Sequence, residues 1–156
     1  AGRLEEVYQG AGDCQQIVCS LVASYAYDAN GNRTSVTSGA STVTATHDAQ
    51  DRLLSRGTTS YAYTDAGELS AKTTPAGTTS YAYDALGALR QVDLPTGETI
   101  TYVIDGAGRR VGKRVDGSFE RGWLYRDALA PVAELGTDGS TVTARFVYGT
   151  RAHVPD

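Results

Sequence analysis

Few residues here have types and spacings that could do chemistry. Cys14 and Cys19 stand five apart. They could close a small disulfide loop in an oxidising compartment, or stay two separate thiols. A bridge over so short a loop could be strained, and two cysteines without clustered histidine do not make a zinc site. Asp28-x-Asn30-x-Asn32 has the opening spacing of a calcium loop. The sixth position, however, is Arg33 rather than Gly, and the twelfth is Gly39 rather than Glu. These residues read instead as a turn held by Asx hydrogen bonds. Gly106-x-Gly108-x-x-x-Gly112 has the wrong spacing for a dinucleotide fingerprint and no βαβ unit around it, so these are turn glycines. His47 and His153 are the only histidines. Neither is near a Ser or Cys in an arrangement that suggests a triad, and each reads as a strand or terminal surface residue. No catalytic, cofactor-binding or metal-binding residue is expected.

Two charge and aromatic features offer binding chemistry instead. Arg109, Arg110, Lys113, Arg114, Arg121 and Arg126 make a basic region. Residues 101–156 carry 8 basic and 7 acidic groups, and residues 1–100 carry 6 and 11. This region could meet an acidic partner. It reads better as solvated strand faces with cross-strand ion pairs to Asp105, Asp116, Glu120 and Asp127. The 10 tyrosines could stack on sugars, but packing ladders explain them more simply. Asn32-Arg33-Thr34 fits a glycosylation sequon.

The chain has 156 residues, a formal charge of −4, 18 Gly, 2 Phe, 1 Trp and no Met. Tyr and Thr favour strands and Gly favours turns. A net acidic chain is a poor generic nucleic-acid binder. No apolar run is long enough for a membrane-spanning helix. Apolar content of 40% is too high for a wholly disordered chain. Neither terminus carries an initiator Met or signal segment, and both look like cuts through ordered sequence. The chain is therefore expected to be a piece of a longer protein.

The elements that position these residues come from a repeat. Ser24-Tyr-Ala-Tyr-Asp28 recurs as Ser80-Tyr-Ala-Tyr-Asp84, and Ser60-Tyr-Ala-Tyr63 is followed by Thr64-Asp65. Thr64 reads as one inserted residue. Weaker copies end at His47, Ile104 and Tyr125. The alternating runs end at 27, 47, 63, 83, 104 and 125, a spacing of about 20. Each unit is an alternating strand whose tyrosines share a face, an Asp-led turn, a second short strand and a second turn. The repeat-defining residues are Tyr27, Asp28, Tyr63, Asp65, Tyr83, Asp84, Asp105, Tyr125 and Asp127. Two strands in about 20 residues make a hairpin. Stacked hairpins bury a continuous face, and many strands curl. The expected fold is all-β: about six antiparallel hairpins, about twelve strands, in a curved, spiralling sheet spanning 1–156 as one region. Gln16–Ala23 fits either a strand or a helix face. Asp127–Leu135 could form one helical turn before Pro131 stops it.

The Tyr-Asp pairs at 27–28 and 83–84, Gly2-Arg3-Leu4, Tyr27-Asp-Ala-Asn-Gly-Asn-Arg33, Asp48-Ala-Gln-Asp-Arg-Leu53 and Asp105-Gly-Ala-Gly-Arg-Arg110 resemble the YD (tyrosine-aspartate) repeats of the Rhs family. So do Trp123–Leu135 and Arg145–Asp156, which look like the segment this family carries just before its conserved core. The resemblance implies a non-catalytic part of a large β-shell. In bacterial members such a shell encloses a C-terminal toxin. In the animal teneurins a related barrel belongs to an adhesion receptor. The family's self-cleaving core would lie beyond Asp156, so the resemblance transfers no catalytic residue. It implies partners in other shell segments and an enclosed polypeptide cargo, and a secreted or cell-surface location. Open strand edges would invite self-association.

Overall fold

The structure, a computed structural model, describes residues 3–9 and 20–149. Cys14, Cys19 and His153 lie outside the described residues. The described residues form fourteen antiparallel strands and no helix, with strand order equal to chain order. The chain divides into two compact units, Ala1–Ala62 with Thr73–Pro75, and Tyr63–Lys72 with Ala76–Asp156.

The first unit holds β1 (Glu6–Gln9), β2 (Ser20–Tyr27), β3 (Arg33–Ser38), β4 (Ser41–His47), β5 (Leu53–Arg56) and most of β6 (Thr59–Tyr63). The second contains most of β7 (Leu69–Thr74), then β8 (Gly77–Tyr83), β9 (Leu89–Asp93), β10 (Thr99–Ile104), β11 (Arg110–Val115), β12 (Ser118–Tyr125), β13 (Pro131–Leu135) and β14 (Val142–Arg145). The six positions expected to end alternating runs each end a strand. Fourteen strands rather than twelve arise because β1 precedes the first full unit and β14 follows the last. Residues 20–23, open between helix and strand, lie in β2. The stretch from Asp127 bends and then becomes β13, with Pro131 its first residue, a position where the missing N–H is tolerated.

Alternation sets the faces. In β6, Thr59, Tyr61 and Tyr63 are half-buried while Ser60 and Ala62 are exposed. In β8 the same holds for Tyr81 and Tyr83 against Ser80 and Ala82. A register shift falls just before Tyr27, His47, Tyr83, Ile104 and Tyr125. A bulge increases local twist and re-aims the side chain beside it. Among the described residues the buried apolar set is only Ala23, Val92, Ala130 and Ala133, and no large side chain is fully buried. Within each unit, ladder hydrogen bonds and half-buried rings rather than large buried side chains hold the described strands.

Candidate functional site

The repeated unit builds one local device. Asp28 accepts hydrogen bonds on its carboxylate from the Gly31 and Asn32 amides, both at 2.8 Å. The Asp28 amide donates to the Asn32 carbonyl at 3.0 Å, and the Gly31 amide donates to the Asp28 carbonyl at 3.1 Å. This closes a five-residue turn that satisfies its own backbone. The same backbone bonds recur at Asp48–Arg52, Thr64–Glu68, Asp84–Ala88 and Asp105–Arg109. Asp51 sits where the other turns have Gly, with φ 63; Asp is one of the few side chains that tolerate this region.

Thr64 is not an insertion. Its hydroxyl accepts from the Glu68 amide at 3.1 Å and donates to the Glu68 carboxylate. Tyr63 and Gly67 are four apart, like Tyr27 and Gly31, so Thr64 takes the place of Asp and Asp65 is the next turn residue. Arg126 likewise opens its turn, its amide donating to the Ala130 carbonyl at 2.9 Å. Asp127, one place later, accepts from the Leu129 amide.

The tyrosines make the second part. Tyr83 donates its hydroxyl to the Leu69 carbonyl at 3.0 Å, Tyr125 to that of Arg110 at 3.1 Å and Tyr148 to that of Pro131 at 2.8 Å. Each acceptor is the residue just after the preceding turn. Tyr27 donates to the Leu4 carbonyl at 2.7 Å. Arginine completes the device. Asp105 holds Arg109 through its backbone amide, Nε and Nη2, and the Arg109 guanidinium lies 5.4 Å from the Tyr125 ring centroid. Arg3 covers Tyr27 at 5.7 Å and Arg126 covers Tyr148 at 5.2 Å. Turn carboxylate, arginine, ring and carbonyl thus tie the second unit's Asp105 turn to the end of β12. Burial and then the Glu68 carboxylate hold the Tyr83 phenol above its ordinary range, so it stays a donor at neutral pH. Tyr83→Phe removes the hydroxyl alone, and is expected to lower stability by about 1 kcal/mol. Urea melts check this, and an unchanged midpoint would count against the clamp.

Five turn carboxylates, those of Asp28, Asp48, Asp105, Asp127 and Asp138, are held below their usual range. For Asp105 the Arg109 amide and side chain are the main causes. For Asp28 and Asp48, partial burial pushes upward, but the combined hydrogen bonds from Asn32, Gly31 and Asn30, or from Arg52 and Gln50, outweigh it. Asp127 is lowered chiefly by the Leu129 amide, and Asp138 by the Thr141 hydroxyl. A carboxylate depressed on folding contributes stability above its unfolded pKa, and loses it as pH falls through the folded one. The urea midpoint is therefore expected to be level from neutral pH to about 5, then to fall steadily below about pH 4. A midpoint unchanged in acid would contradict the caps.

The basic region resolves into local contacts. Lys113 pairs with Glu120 at 2.7 Å, Arg121 with Glu134 at 3.4 Å and Arg126 with Asp127 at 3.4 Å. Arg110 lies over Tyr102 at 3.9 Å and Arg114 over Phe119 at 5.8 Å. Asp116, expected as an ion-pair partner, instead accepts from the Thr99 amide, while Glu134 was not foreseen as one. Asn32 of the sequon spends its amide on Asp28 and Asp51. Asn30 also donates to Asp51, at 2.8 Å, which links two successive turns. Among the described residues no three His, Cys, Asp or Glu come together as a metal site, and no helix is long and apolar enough to cross a membrane.

Fold and repeat device together define a β-hairpin repeat wall. The family described as teneurin YD-shell matches residues 6–155, and the chain belongs to that family. The resemblance to Rhs and YD repeats is borne out. No curated protein sequence matches the chain. In the crystal structure of TcdB2-TccC3-Cdc42, a chain 16% identical superposes with a TM-score of 0.58, covering 73% of this chain. This chain spans about 7% of the length of that one. At such identity the likeness shows the fold alone. The chain is a structural segment of a YD-shell.

Proposed function

We propose that this chain is a non-catalytic stretch of shell wall, one continuous repeat region over 1–156, that helps enclose a C-terminal toxin or effector polypeptide for delivery between cells. One observation carries the reading. A sheet normally buries a face against a second layer, yet these strands leave almost nothing buried, and large apolar side chains such as Val43, Val103 and Leu124 stay exposed. A wall of this kind needs neighbours: other shell segments and an enclosed chain. A secreted or cell-surface bacterial setting suits that role. Sugar binding is less well supported, because arginines already lie against the rings of Tyr25, Tyr27, Tyr102, Tyr125 and Tyr148.

The test is limited proteolysis of the full-length protein that contains this chain. Its C-terminal segment is expected to resist cleavage, and to lose that resistance when residues 64–83 are deleted as one whole repeat. A C-terminal segment cut equally fast in both proteins would overturn enclosure. In isolation, β1 and β14 each have one strand neighbour among the described residues. Such edges pair with other chains, so the isolated chain is expected to self-associate as its concentration rises. A strict monomer by light scattering at high concentration would count against this.

A further inference from the structure

The first unit contains a pocket of about 160 Å³. It sits over three cross-strand pairs: Val36 opposite Val43, Ala45 opposite Arg56, and His47 opposite Leu53. Directly opposed residues of an antiparallel pair share a face, so these side chains form one patch. The volume is close to the roughly 150 Å³ of an engineered cavity that admits benzene, so a short aliphatic chain fits.

The fixed charges around this apolar floor are cations. Arg33 and Arg56 line the pocket, and neither has an ion-pair partner among the described residues. Arg33 is steadied by the Tyr25 ring, 5.7 Å from its centroid. His47 lines the same pocket; its Nδ1 is buried and has no hydrogen-bond partner among the described residues, so it lies behind the pocket surface rather than on it. The repeat explains why the space exists here. His47 stands where Tyr27, Tyr83 and Tyr125 stand in other units. There a phenol spans to a backbone carbonyl of a preceding strand segment, for Tyr83 and Tyr125 the one just after the preceding turn. An imidazole is shorter and has no hydroxyl, so this unit has an open cup in place of a clamp.

We propose that the cup binds a carboxylate carried on a short aliphatic chain. The carboxylate lies between Arg33 and Arg56, and the chain covers Val36, Val43 and Leu53 beside the His47 ring. A guanidinium fork matches a carboxylate in shape and charge. A free short-chain acid and the C-terminal residue of a polypeptide both present this chemistry.

Butyrate is the first probe, titrated into the 156-residue chain while the His47 ring resonances are followed by NMR. A saturable shift is expected at His47 and not at His153. Butanol, with the same chain and no charge, is expected to bind about tenfold more weakly or less. Arg56→Gln should weaken butyrate about tenfold, and His47→Tyr, which refills the space, should abolish binding. Arg56 is exposed, so its replacement leaves the sheet intact, and circular dichroism confirms this for both variants. Acetyl-Ala-Val with a free carboxylate then separates the sources. Tighter binding than butyrate points to a polypeptide terminus and weaker binding to a free acid, and either supports the site. No saturable shift with butyrate or peptide, equal affinity for butanol, or undiminished binding by His47→Tyr would overturn the proposal.

Discussion

Gly77→Ala is expected to destabilise the protein by about 3 kcal/mol, lowering its melting temperature by roughly 10 °C. Gly77 opens β8 just after the Pro75-Ala76 turn, with φ 124. That backbone region is nearly closed to residues with a Cβ. The added methyl would also stand 2.6 Å from Cβ of Pro95, in the matching turn of the next repeat. Pro95 sits in a rigid ring and cannot swing away. Gly97→Ala is the control. Its φ is 90 and nothing lies within 4 Å of the added Cβ, so it meets the backbone cost alone, about 1–2 kcal/mol. The excess at Gly77 combines its stricter backbone region with the contact between successive turns. Pro95→Gly should recover the contact part in a double-mutant cycle. Equal losses at 77 and 97 would show that the turns do not press on each other.

The strand ends were legible because they are set by chemistry within a few residues. An alternating run followed by a residue that can accept from the next amides specifies strand and then turn, and this places 27, 47, 63, 83 and 104 correctly; at 125 the accepting residue is Asp127, one place later. The error at Thr64 shows the limit of reading the motif by letter. Tyr-Asp was sought as a pair, and Thr64 was set aside as an extra residue. Counting back from Gly67 would have recovered the register, since a Thr hydroxyl can accept the same amide as an Asp carboxylate.

The clamp was only half legible. Its tyrosines stood out, but their acceptors are backbone carbonyls, which every residue has. Tyr83 to Leu69 and Tyr125 to Arg110 differ in separation by one residue, so no fixed offset marks them. The arginines were seen as a charge cluster because they are neighbours in sequence. In space they are divided among turn caps, rings and separate ion pairs, since alternation and bulges send successive side chains to different faces. The His47 cup was missed for a similar reason. A His in a Tyr position looks like a weak copy of the motif, and the space it leaves depends on pairs contributed by three strands.

The largest packing effect in the second unit is expected at Phe119, where Phe119→Ala should cost about 3 kcal/mol. Val103, Gly112, Gly122 and Leu135 stand opposite one another in a row across β10, β11, β12 and β13. The two middle positions have no side chain, which would leave a gap in the row. Phe119 fills it: a Cβ on Gly112 would meet the ring at 3.0 Å, and so would one on Gly122. An aromatic ring laid over strand glycines restores the contact area they lack. The arrangement makes a sharper prediction than a single deletion. In the native protein Gly122→Ala pushes against the ring and should destabilise. In the Phe119→Ala background the methyl loses the ring contact and keeps the Val111 carbonyl oxygen at 3.3 Å and Leu135 Cβ at 3.4 Å, so its cost should fall by about 0.5–1 kcal/mol. Urea melts of the four proteins decide it. A Gly122→Ala effect of the same size in both backgrounds would mean that the ring does not occupy the glycine gap.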